Sequence, residues 1–287
     1  MTARAWTAES RAEVVSQARA WSASEALIRL VSELGGPANA SVATLASWSA
    51  ATLDTRRGEE RHDAPSVVWD DAHIDAVLSA AAPLGLLETA PPQQHAYDAT
   101  LLLGGAAAGN RLRTEFAARL ARDGVDLGLL SLVTADRPIS AREHESDPDS
   151  RQEATESQHL LRMVAELFGS LTDLGHAGQF RTAEGQFVRL LVAPASTPDA
   201  RATTADGIDF FLKHVMASRV LLVTSAIYAP YQFFAAAPML VEAGIRYVEL
   251  IGTPTATDGD RGLLAQRLAQ EIHAALTAVA MLCEPQA

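Results

Sequence analysis

From Tyr97 onward the chain alternates short apolar runs with amphipathic stretches, and this limits the folds open to it. A strand that is apolar on both faces must be covered on both, which parallel sheets achieve by carrying helices above and below. The runs span residues 99–103, 127–133, 187–192, 220–224 and 247–251. Helical periodicity between them sets Leu112, Phe116 and Leu120 inward over 110–122, and Leu161, Val164 and Phe168 inward over 152–168. Further helices are expected over 204–214, 231–242 and 263–279. The sequence therefore predicts an α/β fold with a doubly wound, mainly parallel five-stranded sheet.

Residues 1–95 read differently, as a helical N-terminal region. Leu27, Ile28, Val31 and Leu34 share one face of a helix that Gly35-Gly36-Pro37 stops, and Ser41 and either Asp70 or Asp71 suit helix N-caps. A charged loop is expected over 56–65. Pro91-Pro92 marks a boundary, so the expected division is 1–95, a helical cap or dimerisation element, and 96–287, the α/β domain. Residues 1–95 hold 7 Arg against 12 Asp and Glu, and the whole chain carries a net charge of −12. That balance opposes nucleic-acid binding, which draws its affinity from cationic contacts to phosphate.

The single cysteine, Cys283, excludes internal disulfides and four-cysteine zinc sites. No apolar run reaches the length of a membrane span, and the N-terminus lacks the apolar core of a secretory signal, so a cytoplasmic location is expected. Abundant alanine and arginine, with Lys213 the one lysine, read as the coding bias of a GC-rich bacterium.

The strand carboxyl ends are where chemistry is expected. After residues 99–103 comes GGAAAGNR, in which Gly104 and Gly105 let a ligand approach the backbone, and Asn110 and Arg111 open a helix. Free N–H groups at such a junction favour an anion. Neither GxGxxG nor GxxxxGK[ST] is present. A long polar segment, 134–151, follows the second run. His144 stands there among Glu143, Glu145 and Asp147 without a specific metal-ligand spacing, and no metal is predicted. Glu153 and Glu156 start the next helix and are the candidate catalytic carboxylates. Thr203, Thr204 and Asp206 precede another helix as caps or ligand groups. Thr224, Ser225 and Tyr228 close the fourth run.

The order of these motifs resembles the SanA/ElyC/YdcF-like family over roughly residues 97–255. It is carried by LLLGGAAAGNR, RQEATESQHLL, ASTPDARATTADGIDFFL and RVLLVTSAIYAPYQ. The resemblance implies a Rossmann-like sheet and S-adenosylmethionine binding, with Gly104, Gly105, Glu153, Thr203, Thr204 and Asp206 on the ligand face. The chain departs from the family pattern in having Tyr228 and Tyr231 where His and Arg are usual. The resulting expectation is a transferase that binds S-adenosylmethionine or a nucleotide at the strand rim. Alternatives are a hydrolase or lyase with Glu153 as base, and a non-catalytic ligand-binding or dimeric assembly protein.

Overall fold

The computed structural model describes residues 3–56, 67–135, 137–196 and 202–283. Of the charged loop expected over 56–65, all but Arg56 lies outside the described residues. A mixed sheet of eight strands runs through the molecule in the order β1-β8-β7-β2-β3-β6-β5-β4. Its centre is β2 (Ala99–Leu103), β3 (Leu129–Thr134), β6 (Phe187–Val192), β7 (Arg219–Ser225) and β8 (Tyr247–Thr253). These five pair in parallel, at the positions the apolar runs predict.

The five-stranded expectation needs correction at both edges. β1 (Trp6–Ala8) pairs antiparallel with β8, and the hairpin β4 (Leu171–Asp173) and β5 (Gln179–Thr182) extends antiparallel from β6. Three or four residues are too few to show a period, which is why these strands are silent in the sequence.

Ten α-helices are described among the resolved positions. α1 (Arg11–Ser22), α2 (Glu25–Glu33), α3 (Val42–Thr52) and α4 (Asp71–Ala81) precede β2. Their N-caps are Ser10, Ser24, Ser41 and Asp70, each accepting a backbone N–H three residues on. α5 (Ala107–Arg122) follows β2, and α6 (Ala141–Ser146) and α7 (Glu156–Leu167) follow β3. α8 (Thr204–His214) follows β6, α9 (Ala229–Glu242) follows β7, and α10 (Arg261–Cys283) follows β8.

Strand alternation divides the core in two. Leu101, Leu103, Val220, Leu222, Val248 and Leu250 face α1–α4 and α8–α10. Leu102, Leu130, Leu132, Leu221, Val223 and Ile251 face α5 and α7. The early helices share the first core: α3, α4 and α1 all contact α10, and Trp6 of β1 packs on Phe233 and Phe234 of α9.

One charged residue is embedded in this frame. Glu249 of β8 is 2% exposed and accepts from Tyr97 Oη at 2.6 Å, Tyr247 Oη at 3.0 Å and the Gln93 amide at 2.8 Å. Burial raises its pKa and lifts that of Tyr247 to about 12. No described helix is long and apolar enough to cross a membrane.

Candidate functional site

The chain runs outward from β2 to β3 and β6, then returns to the other side of β2 as β7. The carboxyl ends of β2 and β7 therefore lead away from each other, and the β2–α5 turn sits at that reversal. The turn is held tightly. Gly104 donates to Val133 O at 2.8 Å, and a Cβ added there would land on Glu156 Oε1 and within 2.9 Å of Val133 O. Glycine at 104 is thus a packing requirement of the turn.

Arg113 stands at the centre of this rim. It is 4% exposed, whereas Leu112, expected inside, is 51% exposed. Arg113 Nη1 donates to Leu103 O, and to Gly104 O at 3.2 Å, while Nε donates to Ser225 Oγ at 3.2 Å. Its guanidinium lies over the Tyr228 ring, 5.4 Å from the centroid. One side chain thereby ties the end of β2 to the end of β7. The inward turn of Arg113 follows from the strand-end carbonyls, which need donors that Leu112 lacks.

Two acceptors nearby are buried with no hydrogen-bond partner among the described residues. Asn110, 1% exposed, donates through Nδ2 to Gly105 O at 3.0 Å, and its Oδ1 is unpartnered. Thr253 Oγ1, at the end of β8, is also unpartnered, and Thr253 stands beside Ser225 in the strand register. Ser225 and Thr253 alternate onto the same face as Val223 and Ile251, the face that α5 covers.

The segment after β3 folds across the start of α5. Arg137 pairs with Glu143 through Nη2–Oε1 at 2.7 Å and Nη1–Oε2 at 2.8 Å, donates to Gly105 O at 2.9 Å, and pairs with Glu156 at 2.8 Å. Burial works against the Arg137 cation, but Glu143 and Glu156 override it and raise its pKa. Glu143 closes a capping box with Ser140 and also accepts the Ala107 amide at 3.2 Å, in the first turn of α5. Burial works to raise the Glu143 pKa. Its bonds from Arg137 and the Ser140 backbone win and depress it to about 2.

A second set of charges lies beside this. Arg111 meets Asp147 through two contacts of 3.2 Å. His159 is fully buried and donates from Nε2 to Ala107 O at 3.2 Å, with Asp147 and Glu153 each 3.6 Å away. Glu153 also pairs with Arg162 at 2.5 Å. His144, the residue that invites a metal reading, instead contacts Ser150 Oγ at 2.8 Å.

The structure thus brings Gly104, Gly105, Asn110, Ser225 and Tyr228 together around Arg113. Arg111, Glu153 and Glu156 form the adjoining ionic layer. Thr224 donates to Gln232 inside the core. Thr203 and Asp206 close the capping box of α8, with Thr204 as its first residue, and their hydrogen bonds among the described residues do not reach Arg113. Arg137 and His159 are silent in the sequence, because their partners lie in distant segments. The one visible clue to Arg137 is its place in a long polar loop.

Comparison with known proteins bears on the family resemblance. Residues 6–85 match the Rv3785 N-terminal domain. Over 320 aligned positions the chain is 28% identical to "Uncharacterized protein Rv3785" of Mycobacterium tuberculosis, covering 92% of this chain and 88% of that protein. The identity and coverage are the same for "Uncharacterized protein Mb3814" of Mycobacterium bovis. No solved structure matches the chain. The resemblance to the SanA/ElyC/YdcF-like family is therefore overturned. The motifs that carried it, a small-residue turn, a carboxylate-rich helix start and a Thr-Ser strand end, answer general needs of a parallel-sheet rim. In this chain they serve as packing glycine, as arginine partners, and as a core bond to Gln232 beside an acceptor for Arg113.

Proposed function

We propose that the protein is a Rossmann-like small-molecule enzyme that holds an anionic, nucleoside-containing ligand where the carboxyl ends of β2 and β7 part. The observation that carries this reading is the return of the chain at β7, with the buried polar groups of α5 gathered beneath it. Helix-covered parallel sheets seat ligands outside the strand carboxyl ends at such a reversal. In this reading Gly104 and Gly105 give the ligand access to the backbone. Arg113 supplies positive charge, Tyr228 a ring face for a base, and Asn110 and Thr253 accept from ligand hydroxyls. The reaction assigned is group transfer, with Glu153 and Glu156 oriented by Arg162 and Arg137. S-adenosylmethionine loses the support it drew from the family resemblance, so it enters the test beside adenine nucleotides on equal terms.

The test is a melting-temperature panel on the full chain. A ligand at 100 times its Kd stabilises by about 2.7 kcal/mol, which for a chain of this size raises Tm by about 4–5 °C. Arg113→Met removes the guanidinium and is expected to lose the ligand shift; Tyr228→Leu, which leaves Arg113 in place, is expected to weaken it. A panel in which no nucleotide and no S-adenosylmethionine analogue moves Tm refutes the reading.

A further inference from the structure

The first turn of α5 already holds an anion, and it is the protein's own. Glu143 Oε1 accepts the Ala107 amide at 3.2 Å while Arg137 grips both carboxylate oxygens, at 2.7 and 2.8 Å. A helix N-terminal N–H and a two-pronged guanidinium are the donor set that a phosphate group takes in anion-binding turns. Glu143 is brought there by α6, a helix of six residues (Ala141–Ser146) whose hold on the seat runs through the Ser140 capping box.

A second observation points to a ligand in the same turn. Asn110 sits one turn into α5, and its amide is fixed by the bond from Nδ2 to Gly105 O at 3.0 Å. Its Oδ1, in a side chain 1% exposed, has no hydrogen-bond partner among the described residues. A buried acceptor left this way costs stability unless a donor arrives. The donor it lacks is an O–H or N–H, which Glu143 as a carboxylate does not offer.

We propose that Glu143 is an internal stand-in for the phosphate of a phosphate monoester with a hydroxyl-bearing body, and that the ligand displaces it. This rests on the site proposed above. On binding, the phosphate takes the Ala107 amide and the free prongs of Arg137, while Arg137 keeps its contact with Glu156. A ligand hydroxyl donates to Asn110 Oδ1. Glu143 leaves with α6 for solvent. Affinity is then set by competition between two anions for one seat, so weakening the resident one strengthens the incoming one.

The test titrates inorganic phosphate, ribose 5-phosphate and adenosine 5′-monophosphate into the full chain by calorimetry. The variants are Glu143→Gln and Ser140→Ala, the second of which loosens α6 while leaving the carboxylate in place. Removing a resident anion at a partly buried helix terminus is expected to tighten the phosphate monoesters about tenfold. Ser140→Ala is expected to act in the same direction by about threefold. Both sugar-bearing probes are expected to bind more tightly than inorganic phosphate. Hydrogen exchange on the wild type is expected to slow over residues 105–110 and speed up over 140–147 when ribose 5-phosphate is added.

Wild-type binding that neither variant tightens, with residues 140–147 unchanged or protected, overturns the displacement and leaves the β2–β7 rim standing as the proposed site. Absence of binding by all three proteins to every probe overturns the displacement and the phosphate-bearing form of the site together.

Discussion

Replacing Glu143 by Gln removes one negative charge from the crossing of Arg137, the Ser140 cap and the start of α5, and its cost follows from the geometry. The carboxylate accepts from Arg137 on both oxygens, from the Ser140 amide and from the Ala107 amide. Burial works to raise its pKa, but the bonds and charge of Arg137 and the bonds from Ser140 outweigh it and bring the pKa from 4.5 to about 2. That depression corresponds to about 3 kcal/mol, at about 1.4 kcal/mol per pH unit. The pair borders solvent through Arg137, so screening reduces the usable part to about 2 kcal/mol. A Gln side chain keeps one acceptor but turns an NH2 toward the guanidinium, so it recovers little of this. With about 0.6 kcal/mol per kelvin for a chain of this length, Tm falls by about 3 °C at pH 7. The sign with pH is fixed by the direction of the shift. A depressed carboxylate stabilises fully above about pH 4.5, and that stabilisation is lost as pH falls through about 2. Denaturant unfolding of both proteins from pH 7 to pH 2.5 should therefore show a gap of about 2 kcal/mol that narrows steadily below pH 4.5. A gap that persists unchanged at pH 2.5 would assign the loss to packing, and no gap at pH 7 would refute the charge argument outright.

Two further predictions concern residues outside that pair. Gly104→Ala places a methyl group against Val133 O and Glu156 Oε1; a cost of about 1–3 kcal/mol is expected, and a variant with unchanged denaturation midpoint would show that the β2–α5 turn gives way freely. Glu249 has the opposite linkage to Glu143: burial raises its pKa, so its contribution turns unfavourable as pH rises above about 4.5. Glu249→Gln is expected to gain on the wild type between pH 4.5 and pH 7, and a stability difference flat across that range would remove the assignment.

The centre of the sheet was legible because β2, β3, β7 and β8 are buried almost throughout and leave mostly apolar runs, and the partly exposed β6 keeps such a run too. The edges were not, because β1 owes its pairing to β8, far away in sequence, and β4 and β5 are too short to show a period. The site divides in the same way. Gly104 and Gly105 can be read as a close-approach turn from their type alone. Arg113 and Leu112 cannot be ordered by helical periodicity, since the inner position is decided by the carbonyls of Leu103 and Gly104. The contact of Glu143 with the Ala107 amide spans 36 residues, and nothing local in either segment announces it. The misleading family resemblance has the same origin. A short motif at a strand end reports what the backbone turn requires, and many unrelated parallel sheets require the same thing.

The pairing of β1 with β8 also has a consequence for synthesis. Trp6, Thr7 and Ala8 find their partners at Leu250, Glu249 and Val248, and α1, α3 and α4 find theirs on α10. A ribosome adding about 5–20 residues per second needs some 10–50 s to travel that distance. For that interval Trp6, Trp21 and Leu45 have left the tunnel while β8 and α10, parts of the core they complete, are still being made. The nascent chain thus carries an apolar N-terminal surface through nearly all of its elongation, and translation speed or holding chaperones should govern its yield more strongly than the stability of the finished fold.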